Sequence, residues 1–312
     1  MLVALRSNAQ WMLVGIYVVL VMASTGLYMV SRFLERAQIN ELTLRIRSWW
    51  VMVIVFSVAL VIGTQLSLIF FALVSLLALR EFLTLALVGR EHEMLAWSTY
   101  FAVPVQYYWI ASANYEMFLL TVPLFMTLLL SAGFAVRGHT HGYLHTVAVL
   151  GWGLMLTVFA LSHLGFLLML PDSVNPLAGT AGLVLYLVCL TELNDIAQFL
   201  FGRSLGRRRI TPKVSPSKTL EGLLGGLGVT LVLATLLASW LTPFNAWQGM
   251  IAGLLIGLGG FAGDLTMSAL KRDLGVKDAG KLIPGHGGVL DRVDSLIFTA
   301  PLFFHFVNQL QV

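Results

Sequence analysis

With 312 residues, 58% hydrophobic and 11% charged, and a mean hydropathy of +0.87, the chain is well above the ~45–50% apolar content of a soluble domain. That excludes a soluble globular protein. A net charge of +4 and a pI near 9.3 are therefore read through the placement of Lys and Arg around membrane spans, not as a nucleic-acid-binding face.

Windows of about 20 apolar residues, the length that crosses bilayer hydrocarbon as helix, recur along the whole chain. In order they are Trp11–Val30, Trp49–Gly63, Gln65–Leu87, Leu95–Ala111, Tyr115–Phe134, Thr146–Leu170, Leu177–Leu200, Leu223–Leu241, Ala246–Gly263 and Ser295–Leu310. Trp49–Leu87 is nearly continuous, divided only by the turn signal Gly63, Thr64 and Gln65. The n-region before Trp11 carries only Arg6 and no small-x-small cleavage site follows, so Trp11–Val30 is read as a retained span. Cys189, the sole cysteine, falls inside a span, and no intrachain disulfide is available to it.

The expected architecture is an all-α polytopic integral membrane protein, a bundle of about ten transmembrane helices. Parity then sorts the charges. If the loop bearing Arg32, Arg36, Arg45 and Arg47 is cytoplasmic, so are Arg80, Arg90, Arg137, the Arg203–Lys218 segment and the Lys271–Arg292 segment, leaving Arg6 alone on the other face. Residues 1–176 read as a scaffold and residues 177–312 as the catalytic region of one continuous membrane domain, because both long polar segments, Gly202–Gly222 and Asp264–Asp294, lie in the second half. Gly249, Gly253 and Gly257, every fourth residue of one span, and the pair Gly225–Gly226 read as close helix packing. No G-x-x-x-x-G-K-[ST] occurs.

Asp264, Ser268 and Lys271 fall at i, i+4 and i+7, on one face of a helix leaving the membrane. Pro284, Gly285, Gly287 and Gly288 read as a loop, and Asp291 and Asp294 as the opening of the last span. Glu192 and Asp195 share a face near the same end of another span, and acids at membrane depth are costly enough to be presumed functional. Carboxylates able to hold Mg²⁺ are thus ringed by Lys and Arg, an arrangement suited to polyphosphate chemistry. Basic loops alone would be ordinary membrane topology; Asp291, Asp294, His286 and the clustered glycines are not required by it. His139, His141 and His145 sit in a short loop without a nearby acid and read as structural rather than as zinc ligands. Glu81, beside Arg80, reads as a local pair or an interfacial contact.

The pattern S-x-x-K-R-x-x-x-x-K-D-x-x-x-x-x-P-x-H-G-G-x-x-D-R-x-D, filled by Ser268, Lys271, Arg272, Lys277, Asp278, Pro284, His286, Gly287, Gly288, Asp291, Arg292 and Asp294, resembles the signature of the phosphatidate cytidylyltransferases, the CDP-diacylglycerol synthases. Ser215, Pro216, Lys218, Thr219, Glu221, Gly222, Gly225 and Gly226 resemble a second block of that family, and the likeness runs from about Glu192 to the C-terminal end. It implies CTP and phosphatidate as substrates, CDP-diacylglycerol and pyrophosphate as products, membrane lipids but no nucleic acid as partners, and a bacterial inner membrane with the site facing the cytoplasm. A homodimer is compatible with the chain.

Under that resemblance Asp264 and Asp291 would hold Mg²⁺, with Asp195 and Asp278 as further metal ligands and a second cation as an option. Lys271, Arg272 and Asp294 would join them in catalysis, while Ser215, Lys218, Thr219, Ser268, Lys277, His286 and Arg292 would bind substrate. One segment departs. Where the family carries Asp-Thr/Ser-Gly-Ala-Tyr, this chain has Asp195, Ile196, Ala197, Gln198 and Phe199, which points to a divergent branch with altered contacts around an unchanged acid. The rival expectation is a non-catalytic paralogue, or a lipid-binding or transport protein of the same fold.

The parity argument is checked by cysteine labelling in intact cells: Ser173→Cys should react with an impermeant reagent from outside, and Ser204→Cys only after lysis. Labelling of both from one side would overturn the sorting.

Overall fold

In hydrocarbon every backbone N–H and C=O must find its partner within the segment, so apolar stretches of this length fold as helices. The structure, a computed structural model, describes residues 5–31, 35–86, 93–138 and 140–310, and only the backbone of residues 37 and 93–96. Arg32, Arg90 and His139 lie outside the described residues.

The helices are α1 (Ser7–Val30), α2 (Arg36–Ile62), α3 (Thr64–Ala86), α4 (Glu93–Tyr100), α5 (Ala102–Ala111), α6 (Tyr115–Val136), α7 (Tyr143–Leu167), α8 (Gly179–Leu205), α9 (Leu220–Leu241), α10 (Ala246–Asp273) and α11 (Leu296–Gln309). Among the described residues, eight of these are long and apolar enough to cross a membrane. The chain is an all-α polytopic membrane protein. Each of the ten expected windows is helical, but two are shorter than a full crossing. The Leu95–Ala111 window divides into α4 and α5 at Phe101, because the ring of Pro104 clashes with the carbonyl four residues earlier. α11 has only 14 residues and starts after the two aspartates expected to open it.

Two further corrections concern polar segments. The arginine-bearing stretch before Trp49 is no loop: α2 begins at Arg36, where Glu35 and Gln38 form a reciprocal cap. Between α8 and α9 the chain forms a small antiparallel hairpin, β1 (Arg209–Thr211) with β2 (Ser215–Thr219). Glu221 holds that segment down, its Oε2 accepting the backbone N–H groups of Arg207 (2.9 Å) and Arg208 (3.1 Å).

The densest packing joins α8, α9 and α10, and glycine makes it possible. A Cβ on Gly249 would lie 2.5 Å from Ala238 Cβ, on Gly253 2.7 Å from Ala234 Cβ, and on Gly257 2.6 Å from Leu227 Cδ1. The stripe is therefore the seam between α9 and α10, where two backbones approach as closely as small residues allow. Tyr186 of α8 closes it with a hydroxyl bond to the Ala234 carbonyl (2.9 Å). This seam places the last turns of α8 and α10 beside the first turns of α9 and α11. At the opposite end of the bundle, where α8 begins, Arg6, Gly63, Thr64 and Asp172 line a separate cavity.

Gly253→Val should cost about 1–3 kcal/mol through overpacking, read as a lowered unfolding midpoint in detergent. Gly228→Ala, with nothing within 4 Å of its Cβ position, should not lower it.

Candidate active site

Four chain segments converge on a cavity of about 360 Å³. α8 supplies Asp195, Gln198 and Phe199; β2 and the start of α9 supply Ser215, Lys218, Thr219 and Gly222; α10 supplies Asp264, Ser268, Lys271 and Arg272; the following loop supplies Lys277, Asp278, Asp291, Arg292 and Asp294. The catalytic, substrate-binding and metal candidates named from sequence all line this cavity, with one exception. His286 lies outside this cavity, in an adjoining one of about 780 Å³, its ring edge-on to Trp49 at 6.1 Å.

The helical face of α10 works as its spacing implies. Ser268 Oγ donates to Asp264 Oδ1 (3.2 Å), and Asp264 Oδ2 pairs with Lys218 from β2, so the hairpin is tied to α10 by charge. One turn on, Lys271 Nζ donates to Asp291 Oδ1 at 2.8 Å. The other oxygen, Asp291 Oδ2, accepts the backbone N–H groups of Ala279 (2.7 Å) and Gly288 (3.0 Å). Asp291 is 6% exposed and acts as the knot of the loop. That is why the chain does not enter α11 at Asp291: its carboxylate is wrapped in the preceding loop. A Cβ on Gly287 would lie 2.6 Å from Asp291 Oδ2, and the φ of +82° there suits glycine in any case.

Arg272 is a strap: its Nε and Nη1 donate to the carbonyls of Val214 and Val276, both at 3.3 Å, joining α10 to the hairpin turn. Arg292 is different. It lines both cavities already described and a third, apolar groove of about 310 Å³ between Phe56, Phe70, Val188 and Val293, and its buried Nε has no hydrogen-bond partner. Glu192 also lines that groove.

The acids repel one another. Burial first, then the Asp264 and Asp195 carboxylates, push the Asp294 carboxyl above the ordinary aspartate range, against Lys271 and Arg292. Burial, and then Arg292 and Arg45, hold the His286 imidazole below its usual value. Asp195 Oδ1 is buried with no hydrogen-bond partner. Among the described residues no three His, Cys, Asp or Glu side chains form a ready-made metal cage. Crowded carboxylates with an unpartnered oxygen fit Mg²⁺, which takes one or two protein carboxylates and completes its shell with water and phosphate. Asp264, Asp195 and Asp294 would hold it. Asp264 would offer oxygens it shares with Ser268 and Lys218, and Asp291 its Oδ1, which Lys271 shares.

Sequence reasoning missed Glu81. Its Oε2 accepts the N–H of Leu290 (2.8 Å), and its carboxylate lies against Gly280 and Gly288, where a Cβ would collide with it. From the same half of the chain, Ser48 Oγ donates to the Pro284 carbonyl at 2.6 Å. The loop of the site is therefore buttressed by α2 and α3. The available signal was an acid near the end of a mostly apolar span, with Arg80 beside it as a ready local partner; nothing local said that its partner lay 209 residues away.

A family model described as the cytidylyltransferase family matches residues 43–310. The chain belongs to the cytidylyltransferase family. The match extends far upstream of the motifs, in keeping with the contacts of α2 and α3. Of individual relatives, the "Uncharacterized protein YnbB" of Escherichia coli (strain K12) is 51% identical over 269 residues, 86% of this chain and 88% of that one. A phosphatidate cytidylyltransferase of Synechocystis sp. is 50% identical over 115 residues, 36% of this chain and 39% of its own. One from Staphylococcus haemolyticus is 38% identical over 120 residues, 38% of this chain and 46% of its own. The similarity to these named enzymes thus spans less than half of either protein.

Glu81→Ala should leave the Leu290 N–H without an acceptor and cost about 1–3 kcal/mol, seen as a lowered unfolding midpoint in detergent. Glu81→Gln, whose amide oxygen can still accept, should recover most of it.

Proposed function

We propose that this nucleotidyltransferase-family protein is a CTP:phosphatidate cytidylyltransferase, making CDP-diacylglycerol and pyrophosphate for phospholipid biosynthesis, with its site on the cytoplasmic face of a bacterial inner membrane. One observation carries the reading: Arg292, with an unpartnered buried Nε, stands where a polar cavity of lysines and aspartates meets an apolar groove. A soluble polyphosphate and an amphiphile bearing a phosphate need such a junction.

The phosphate monoester of phosphatidate, with a second pKa near 6, is largely deprotonated at neutral pH. Its oxygen attacks the α-phosphorus of CTP; the new P–O bond forms as the bond to the β-phosphate breaks, and pyrophosphate carries away the electron pair. No side chain has to remove a proton, which agrees with a site holding no Ser-His-Asp arrangement among its lining residues. The work left to the protein is to bring two anions together. Lys218 and Lys271, paired with Asp264 and Asp291, can turn their ammonium groups to phosphate, and Arg292 can hold the lipid phosphate at the head of the groove. Ser215, Thr219 and Ser268 add neutral donors, and Lys277 adds charge at the rim. Mg²⁺, held by Asp264 with Asp195 and Asp294, would neutralise polyphosphate charge.

The test is transfer of radiolabel from CTP into chloroform-soluble product by purified protein in detergent with Mg²⁺ and phosphatidate. Asp264→Asn should lower turnover by at least about a hundredfold, since it removes an anionic ligand from the cation that offsets phosphate charge. A wild-type protein inert with phosphatidate and with other phospholipid acceptors would make the non-catalytic, lipid-binding reading the better one.

A further inference from the structure

Gln198 lines the polar cavity, is 4% exposed, and has no hydrogen-bond partner at either Oε1 or Nε2, both of which are buried. A buried amide left unpaired at both ends is costly and calls for an explanation. Poor packing does not supply one. α9 is cut back to glycine where Gln198 comes down on it: a Cβ on Gly226 would run into Gln198 Cγ, and one on Gly222 would lie 2.8 Å from the Gln198 carbonyl oxygen. The fold makes room for this side chain and then leaves its amide unsatisfied.

Its place in the cavity narrows what it can meet. Gln198 stands three residues beyond Asp195, on the same face of α8, near the Thr219 cap at the start of α9. The other polar lining residues are carboxylates, Lys, Arg or hydroxyls; Gln198 is the amide among them. A phosphate offers only acceptors, so it could engage Nε2 but would leave Oε1 facing negative charge. An acyl chain would satisfy neither atom. What fits is a neutral group that presents a donor and an acceptor side by side.

We propose that Gln198 is a specificity-determining residue that hydrogen-bonds the neutral part of the nucleotide, through its base edge or its sugar hydroxyls, while lysines meet the phosphates. This rests on reading the cavity as a nucleotide site. It also gives the departure at this position a purpose, since the alanine that the resemblance leads one to expect there would read nothing.

The experiment measures binding of radiolabelled CTP to the full-length protein in detergent, and the KM for CTP and for phosphatidate, for the wild type, Gln198→Ala and the similarly sized Gln198→Met. Both variants should weaken CTP binding about tenfold, the loss of one or two hydrogen bonds, with the KM for phosphatidate unchanged and the unfolding midpoint of Gln198→Met no lower than the wild type's. Competition by UTP reports on the base and by dCTP on the sugar; the wild type's preference for CTP over one of them should shrink in both variants. Unchanged CTP affinity and unchanged preferences would overturn the proposal, as would an effect confined to phosphatidate or to the unfolding midpoint. A wild type that binds CTP and transfers it, with variants that match it, refutes the role of Gln198 alone. A wild type that binds no nucleotide refutes the reading of the cavity and this inference together.

Discussion

Two lysine–carboxylate pairs hold the site together, Lys218 with Asp264 and Lys271 with Asp291. Lys271–Asp291 is the more buried, and taking either of its charges away would strand a partner at a cost of about 3–5 kcal/mol; the Lys218–Asp264 pair, reached more by solvent, is worth less. The pairs also join separate parts of the chain. Lys218 brings the hairpin onto α10, and Lys271 brings α10 onto the loop that leads to α11. Because Asp291 also accepts from Ala279 and Gly288, the shape of that loop follows from the same carboxylate. The electrostatic arrangement and the backbone arrangement are one structure.

Holding charges at this depth makes demands on the apolar bundle around them. The glycine seam between α9 and α10 sets the spacing at which Lys218 and Asp264 can meet, and Gly225 and Gly226 of α9 seat Phe201 and Gln198 at the end of α8. On the other side, α2 and α3 press on the loop through Ser48 and Glu81. A carboxylate placed between Gly280 and Gly288 explains why those positions are glycine as much as any turn does. The first half of the chain is therefore part of the site's support.

What could be read from the residues alone was whatever depends on local pattern. Apolar windows located the helices, and the spacing of Asp264, Ser268 and Lys271 gave a shared face that the Ser268–Asp264 bond realises. The glycine stripe was legible as packing. Non-local facts were not. Whether Asp291 starts a helix or ties a loop depends on N–H groups twelve and three residues upstream, and Glu81 has its partner in another half of the chain. The hairpin after α8 escaped a helical expectation because Ser215 to Thr219 has neither an apolar run nor clear alternation, and is held by Glu221 and Arg272 from outside.

The site also shows why charge alone does not define a substrate. Lysines and arginines attract any polyphosphate, while burial first, and then the Asp264 and Asp195 carboxylates, raise the pH at which Asp294 ionises. Selectivity must come from groups that charge does not satisfy. Besides Asp195 Oδ1, the unpartnered atoms of this cavity are the Nε of Arg292, whose side chain also lines the apolar groove, and the amide of Gln198, whose Cγ is pressed against Gly226. Arg292 borders the apolar groove, and Gln198 the start of α9. The proposed reaction, joining a water-soluble donor to a membrane-bound acceptor, would use that division, with shared electrostatics at the centre and separate recognition at either end.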